Sequence, residues 1–98
     1  MPEVIFHPAA IQDVNEIIEY LNEQSFDLGR EFVDELKHAE TFLRKFPDTW
    51  PCIKSNIRRL KVSRFSYNIF YHIKDDGIVE VLTVMHFRRK PFNFLDRL

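Results

Sequence analysis

The spacing of apolar residues changes from a helical to an extended period near the middle of this chain. Between residues 10 and 46, apolar side chains recur every three or four positions, which is the spacing of helices that bury one face. Between residues 57 and 87, β-branched and aromatic residues dominate, and Asp76-Gly77 is a strong signal for a tight hairpin turn. Helical segments that precede the strand segments, without alternating with them, predict an α+β domain.

Two helices are predicted in the first half, after a short strand at residues 3–7. Pro8 ends this strand and suits the first turn of a helix, where the missing N–H of proline is not needed. Ser25 or Asp27 is predicted to cap the second helix, which should end at Phe46-Pro47 because the residue before proline avoids helical geometry. Both helices are long and their link is short, so we expect an antiparallel helical hairpin.

The second half predicts a sheet that the hairpin covers on one face. Residues 47–56 contain two prolines and no regular period, so a loop is predicted there. Three strands follow at about 57–64, 66–74 and 78–87, and the last should be central because it is apolar on nearly both faces. The expected order is β-α-α-β-β-β in a mainly antiparallel sheet, with a C-terminal tail after Pro91. Residues 1–98 are expected to form a single domain, since 98 residues are too few for two.

Composition limits the compartment and the chemistry. The single Cys52 excludes an internal disulfide and is typical of a reducing compartment, and no apolar run approaches the roughly 20 residues of a membrane span. We therefore expect a cytoplasmic protein that does not act at a membrane. Two glycines cannot form a phosphate-binding loop, and four histidines without a Cys/His pattern predict no metal site, so no cofactor is expected. His72 and His86 lie on strands predicted to pair and could approach each other.

Charge is divided unevenly between the two halves. Residues 1–49 contain eleven acidic and four basic residues, hence −7, whereas residues 50–98 contain four acidic and ten basic residues, hence +6, which together give the formal net charge of −1. The acidic residues predicted on the solvent face of the first helix are Asp13, Glu16, Glu19 and Glu23. This polarity indicates a macromolecular anion or an acidic protein as the partner. In the alternative, the basic strands neutralise the acidic helices within the fold.

Cations interleaved with aromatic residues make the second half the candidate binding surface. Arg59 and Lys61 alternate on one strand and leave the same face of the sheet, roughly 7 Å apart, and Asn68 on the next strand could join them. Such a face suits phosphate groups. The residues predicted to contact a target or partner are Arg58, Arg59, Lys61, Arg64, Asn68, Tyr71, Arg88, Arg89 and Lys90. No catalytic centre is predicted; if the chain is a catalyst, the candidates are Arg59, Lys61 and His86, since an imidazole can serve as a general acid or base.

Motifs along the whole chain resemble the ParE branch of the RelE/ParE superfamily, the toxins of type II toxin–antitoxin modules that stabilise plasmids. The resemblance rests on Pro8-Ala9-Ala10 with Asp13, Ile17 and Tyr20, on Phe32, Leu36 and Pro47, on Ile57-Arg58-Arg59-Leu60, on Phe65-x-Tyr67-x-Ile69-x-Tyr71, and on His86-x-Arg88-Arg89-x-Pro91. It implies a small α+β toxin neutralised by a cognate antitoxin whose C-terminal segment wraps around it. Operator DNA would then be bound only through the antitoxin.

The resemblance leaves the cellular target open. RelE-like members cleave mRNA on the ribosome with strand cations and a C-terminal tyrosine or similar base, whereas ParE-like members poison DNA gyrase by binding it. Arg59 and Lys61 fall where RelE-like cations lie, but Asn68 stands where those members tend to carry arginine, and the tail has Phe92 and Phe94 without tyrosine. Because a base for 2′-hydroxyl attack is missing, a non-enzymatic gyrase inhibitor is favoured over an mRNA endoribonuclease. A third hypothesis is a degenerate toxin that only binds its antitoxin.

Overall fold

The computed structural model describes residues 3–88, which form a five-stranded sheet and two helices. The strands are β1 (Val4–Phe6), β2 (Cys52–Lys54), β3 (Ile57–Val62), β4 (Tyr67–Ile73) and β5 (Val79–His86), and the helices are α1 (Pro8–Gln24) and α2 (Leu28–Lys45). The order in the sheet is β1-β5-β4-β3-β2, with β1 parallel to β5 and all other neighbours antiparallel. This confirms the predicted α+β class and the central position of the last strand. The predicted tail, with Arg89 and Lys90, lies outside the described residues.

The ends of the helices follow the predicted signals in part. Pro8 opens α1, and α2 ends at Lys45, directly before Phe46-Pro47, as predicted. Asp27 precedes α2 as one of the two predicted caps, but its backbone is left-handed, with a φ of 62°, and its side chain makes no capping hydrogen bond. Ser25 instead ends α1 with an extended backbone. No helix within residues 3–88 combines the length and the apolarity that crossing a bilayer requires.

One strand lies inside the segment predicted to be a loop. β2 is only three residues long, is exposed along its whole length and pairs with Ile57 and Arg58 at the start of β3. An edge strand that buries neither face does not alternate between apolar and polar residues, so its sequence carries no strand period. The prediction of a loop over residues 47–56 was therefore wrong for residues 52–54.

Apolar side chains form two clusters, one on each side of the sheet. The larger cluster lies between the helices and the sheet and includes Phe32 and Leu43 of α2 and Leu60 and Val62 of β3. A smaller cluster contains only strand residues, namely Ile57, Phe70, Leu82 and Met85. Since it includes no helical residue, it marks the face of the sheet that points away from the helices, which we call the far face.

Asp13 connects α1 to β5 through hydrogen bonds. Its Oδ2 atom accepts hydrogen bonds from Thr83 Oγ1 at 2.6 Å and from the Val84 N–H at 3.3 Å. The prediction that Asp13 lies on the solvent face of α1 was therefore wrong. It lies three residues after Ala10 and four before Ile17, both buried, so its position at the border of the apolar stripe was the available signal.

Gly29 allows the first turn of α2 to lie against α1, and its replacement by alanine is expected to destabilise the fold. The Gly29 N–H donates to Asn22 Oδ1 at 2.9 Å, and an added Cβ would lie 2.7 Å from that oxygen and 2.9 Å from Ile18 Cγ2. We expect Gly29→Ala to cost roughly 1–3 kcal/mol of unfolding free energy, even though alanine has the better helix propensity. Urea unfolding measures the difference. Arg30→Ala, at an exposed neighbouring position, is the control and should stay within about 0.5 kcal/mol of the unmodified chain. Equal stability of Gly29→Ala and the unmodified chain would contradict the close approach.

Candidate partner-binding surface

Arg59, Lys61 and Asn68 lie together on the far face. In the pairing of β3 with β4, Arg59 is opposite Phe70 and Lys61 is opposite Asn68, and directly opposite residues share a face. Phe70 belongs to the smaller apolar cluster, which identifies this face as the one away from the helices. The structure thus brings together the three residues that strand alternation grouped in the sequence.

Phe87 extends this set beyond the end of β5. The Lys61 Nζ atom lies 5.8 Å from the centroid of the Phe87 ring, within the range of a cation–π interaction. Phe87 is 40% exposed, and Arg88 and Lys61 are exposed. Within residues 3–88, neither Arg59, Lys61 nor Arg88 forms an ion pair. We call these three residues, Arg59, Lys61 and Phe87, the cationic patch; its uncompensated charge attracts phosphates or carboxylates.

Asn68 lies buried on the far face, opposite Lys61 of the cationic patch. Its side chain is 7% exposed, and in the part of the chain that the structure describes its Oδ1 atom has no hydrogen-bond partner. An unsatisfied buried polar atom costs roughly 1–3 kcal/mol, and natural folds contain few of them. Asn68 is buried in the free chain, and its contact with a partner stays a prediction.

Arg58 and Arg64 are engaged within the fold. The Arg58 guanidinium donates to two backbone carbonyls of the loop before β2, at 3.1 and 2.6 Å, and lies 3.8 Å from the Asp48 carboxylate. The Arg64 guanidinium pairs with Glu31 and Glu35 of α2, 3.6 Å from the latter carboxylate. In these two arginines the charge is neutralised within the fold, which was the alternative to a partner-binding role. They are therefore less available to a partner than Arg59 and Lys61.

Tyr71 is fully buried and hydrogen-bonds to the loop before β2. Its hydroxyl donates to the Pro47 carbonyl at 2.7 Å. Its contact with a partner stays a prediction. Burial also raises the pKa of Tyr71 to about 12, against the opposing effect of the nearby Arg58 charge.

The raised pKa of Tyr71 predicts a loss of stability at alkaline pH. Because the folded pKa exceeds the unfolded value near 10, the contribution of Tyr71 is complete below pH 10 and is lost as pH rises toward 12. At about 1.4 kcal/mol per pKa unit, we expect roughly 2–3 kcal/mol to be lost over that interval. Tyr71→Phe should remove this part of the pH dependence and cost about 1–2 kcal/mol at neutral pH, where the Pro47 carbonyl loses its donor.

Urea unfolding at a series of pH values from 7 to beyond 11 tests this expectation. Tyr20→Phe is the matched control, because Tyr20 is 55% exposed. Burial also raises the pKa of Tyr67, so a residual slope should remain in every variant. The same slope in Tyr71→Phe as in the unmodified chain would show that Tyr71 is not responsible.

His86 lies on the helix side of the sheet, away from Arg59 and Lys61. It pairs with Tyr67, a residue of the main core, and the two rings meet edge-on with centroids 5.4 Å apart. Its Nδ1 atom accepts a hydrogen bond from the Arg88 N–H at 3.1 Å. The three catalytic candidates are therefore not gathered into one site.

His72 and His86 lie at opposite ends of the β4–β5 ladder. His72 is opposite Glu80, and its Nε2 atom lies 2.8 Å from a Glu80 carboxylate oxygen. The prediction that the two histidines approach each other was therefore wrong. Among residues 3–88, no group of three His, Cys, Asp or Glu side chains is placed to hold a metal ion.

A groove beside the outer edge of β3 escaped the sequence analysis. It lies between this edge and α2 and has a volume of about 250 Å³. We call it the strand-edge groove. The residues that line it are Glu35, His38, Ala39, Phe42, Trp50, Leu60, Lys61 and Val62. Phe42 is 54% exposed and lies outside the buried stripe of α2. The position of Phe42 outside the buried face of α2 was the sequence signal for this groove.

The chain matches a known protein family over most of its length. Residues 4–91 match the family model described as the ParE toxin of the type II toxin–antitoxin system, parDE. The fold is similar to that of a chain from the chromosomal ParDE system of P. aeruginosa, with a TM-score of 0.77 and 13% identity over 88% of this chain and 96% of that one. It is also similar to the isolated E. coli RelE toxin, with a TM-score of 0.68 and 16% identity over 92% of this chain and 88% of that one. These two likenesses concern the fold alone. A search of curated proteins finds no significant sequence match.

Proposed function

The chain belongs to the ParE toxin family of type II toxin–antitoxin systems, and on this premise we propose that it arrests growth by binding and poisoning DNA gyrase. A cognate antitoxin neutralises it in the cytoplasm, and the complex meets operator DNA through the antitoxin. The toxin itself needs no catalytic centre in this mechanism, because a protein that holds another enzyme in an inactive state acts through its binding surface.

The observation that carries the proposal is the cationic patch. Arg59 and Lys61 make no ion pair within residues 3–88, and the exposed ring of Phe87 lies beside Lys61. Gyrase holds DNA while it works, so the phosphates of that DNA, and acidic side chains elsewhere on the enzyme, are groups that cations recognise. Such a patch on a sheet can bind a target without catalysing a reaction.

Cleavage of mRNA on the ribosome is the second candidate function. It is favoured by the placement of Arg59 and Lys61 on one face together with the unpaired Asn68 amide oxygen. Attack by a 2′-hydroxyl also needs a base within hydrogen-bond reach. Among the described residues, His86 is on the other side of the sheet, so gyrase poisoning is the better-supported proposal.

Inducible expression without antitoxin tests the proposal. Plasmid supercoiling, chromosomal breaks and mRNA integrity are read from the same cells, and purified gyrase is assayed with the purified chain for trapped cleavage complexes. We expect broken or relaxed DNA with intact mRNA, and trapped complexes in the purified system. Cut mRNA with intact DNA would support the endoribonuclease instead. Normal growth with both intact would indicate a degenerate toxin that only binds its antitoxin.

A further inference from the structure

A small pocket between the middle of α1 and the end of β5 has no role in the proposed function. Its volume is about 200 Å³. Its polar lining residues, which define what we call the acidic pocket, are Asp13, Glu16 and Tyr20 of α1, Tyr67 of β4 and His86 of β5. They come from three separate stretches of the sequence and are brought together by the packing of α1 on the sheet.

Two carboxylates give the acidic pocket its charge. The Asp13 carboxylate is held on β5 by the two hydrogen bonds described above. Glu16 is exposed and forms no ion pair within residues 3–88, and its hydrogen bond from Gln12 Nε2 is long, at 3.4 Å. No lysine or arginine is among the described residues that line the pocket. A concave site with this charge attracts a cation.

The Tyr67 hydroxyl is a second, independent feature that indicates a ligand. Tyr67 lines the pocket and is only 7% exposed, yet in the part of the chain that the structure describes its hydroxyl makes no hydrogen bond. Burial, and after it the nearby Tyr20 hydroxyl, raise the pKa of Tyr67, so two phenol oxygens share the pocket. Polar groups buried to this extent usually have a partner, and a donor on a bound ligand would supply one.

The lining favours a guanidinium group over other cations. Carboxylate and phenol oxygens on two elements offer acceptors in several directions, and a guanidinium carries five N–H donors in one plane. The rings of Tyr67 and His86 meet edge-on, and aromatic walls favour a planar, weakly hydrated cation. The volume lies below the roughly 300–1,000 Å³ of small-molecule sites, so the pocket accommodates the end of a side chain and not a whole metabolite.

We propose that the acidic pocket binds the guanidinium group of an arginine side chain. Glu16 is the charged acceptor, the Tyr67 hydroxyl accepts a further N–H, and Asp13 adds negative charge. The inference does not depend on the gyrase proposal, because no residue of the cationic patch lines this pocket. The arginine belongs either to another protein or to this chain, whose Arg89 and Arg97 lie outside the described residues.

An NMR titration of the ¹⁵N-labelled full chain with N-acetyl-arginine amide tests the site. We expect saturable shifts of the Tyr67 and His86 amides. The neutral isostere N-acetyl-citrulline amide should bind at least about tenfold more weakly, because it cannot form a charge-assisted hydrogen bond. Glu16→Gln should weaken binding of the arginine probe by a similar factor. Glu19→Gln is the matched control, at an exposed position of α1 that does not line the pocket, and should leave binding unchanged.

Tyr67→Phe separates recognition from stability. The hydroxyl has no hydrogen-bond partner among the described residues, so its removal should leave the melting temperature unchanged. The same variant should bind the arginine probe about fivefold more weakly, because one acceptor is lost. A lower melting temperature with unchanged binding would show that the hydroxyl serves the fold and not a ligand.

The remaining outcomes decide between rejection and the two sources of arginine. Equal affinities for the arginine and citrulline probes, or for Glu16→Gln and the unmodified chain, would reject recognition of a cation in this pocket. If the unmodified chain shows no binding at tens of millimolar probe, the titration is repeated on a variant with Arg88→Gln, Arg89→Gln and Arg97→Gln. Binding by that variant would assign the pocket to an arginine of the chain itself, and binding by neither would reject the site.

Discussion

Replacing Phe32 with alanine is expected to destabilise the fold by about 3–5 kcal/mol, the range for truncating a buried aromatic side chain. Phe32 is fully buried between α2 and the sheet. The rings of Phe65 and Tyr67 meet it edge-on, with centroids 5.6 and 5.3 Å away. The truncation leaves a cavity and removes both ring contacts, each worth roughly 0.5–1.5 kcal/mol beyond the buried area. Small domains have only about 5–15 kcal/mol of stability, so the variant should be close to unfolding.

Urea unfolding of Phe32→Ala and Phe32→Leu measures this effect. Leucine keeps most of the apolar volume, so it should lose about half as much stability or less. Phe26→Ala, at a 90% exposed position, is the control and should stay within about 0.5 kcal/mol of the unmodified chain. A change below about 1 kcal/mol for Phe32→Ala would mean that the helix–sheet core is not the main source of stability. Loss of growth inhibition in this variant is expected as a result of unfolding and would carry no information about the target.

Burial explains why the helices and the long strands were predictable: the helices and β3 bury one face, and β4 and β5 are apolar on nearly both faces. An element that packs on one side must place apolar residues at its own period, and α1, α2 and β3 do so. β2 escaped prediction because a three-residue edge strand exposed on both faces needs no such pattern. The Asp27 cap failed for a different reason. Asp27 occupies the cap position, but its backbone is left-handed where a capping residue is normally extended, and its side chain makes no capping hydrogen bond.

The candidate site was predictable only where strand alternation decides it. The shared face of Arg59 and Lys61 follows from their spacing of two residues. The engagement of Arg64 does not follow from any local pattern, because Glu31 lies 33 residues away and reaches it only through the docking of α2. The strand-edge groove depends in the same way on how α2 packs beside β3. Which cations remain available for a partner is therefore a property of the folded chain.

Reversing the charges of Arg59 and Lys61 is expected to abolish growth inhibition while leaving the fold intact. Both side chains lie on the far face without an ion pair in the described part of the chain, so Arg59→Glu with Lys61→Glu should change stability by less than about 1 kcal/mol. Two charge pairs turned from attraction to repulsion at an interface should cost roughly 2–4 kcal/mol of binding free energy or more. That is about a 30- to 1,000-fold loss of affinity for the target.

The matched control is Arg30→Glu with Lys37→Glu on the exposed side of α2. Each double substitution lowers the formal net charge by four, from −1 to −5, so the two variants differ only in where the charge is changed. Expression without antitoxin gives the growth readout, and gyrase binding at two salt concentrations gives the affinity. If both variants lose toxicity, the effect is one of overall charge; if neither does, the target contacts another surface. Loss in the far-face variant alone, with a weaker salt dependence of the residual binding, would place the contact at the cationic patch.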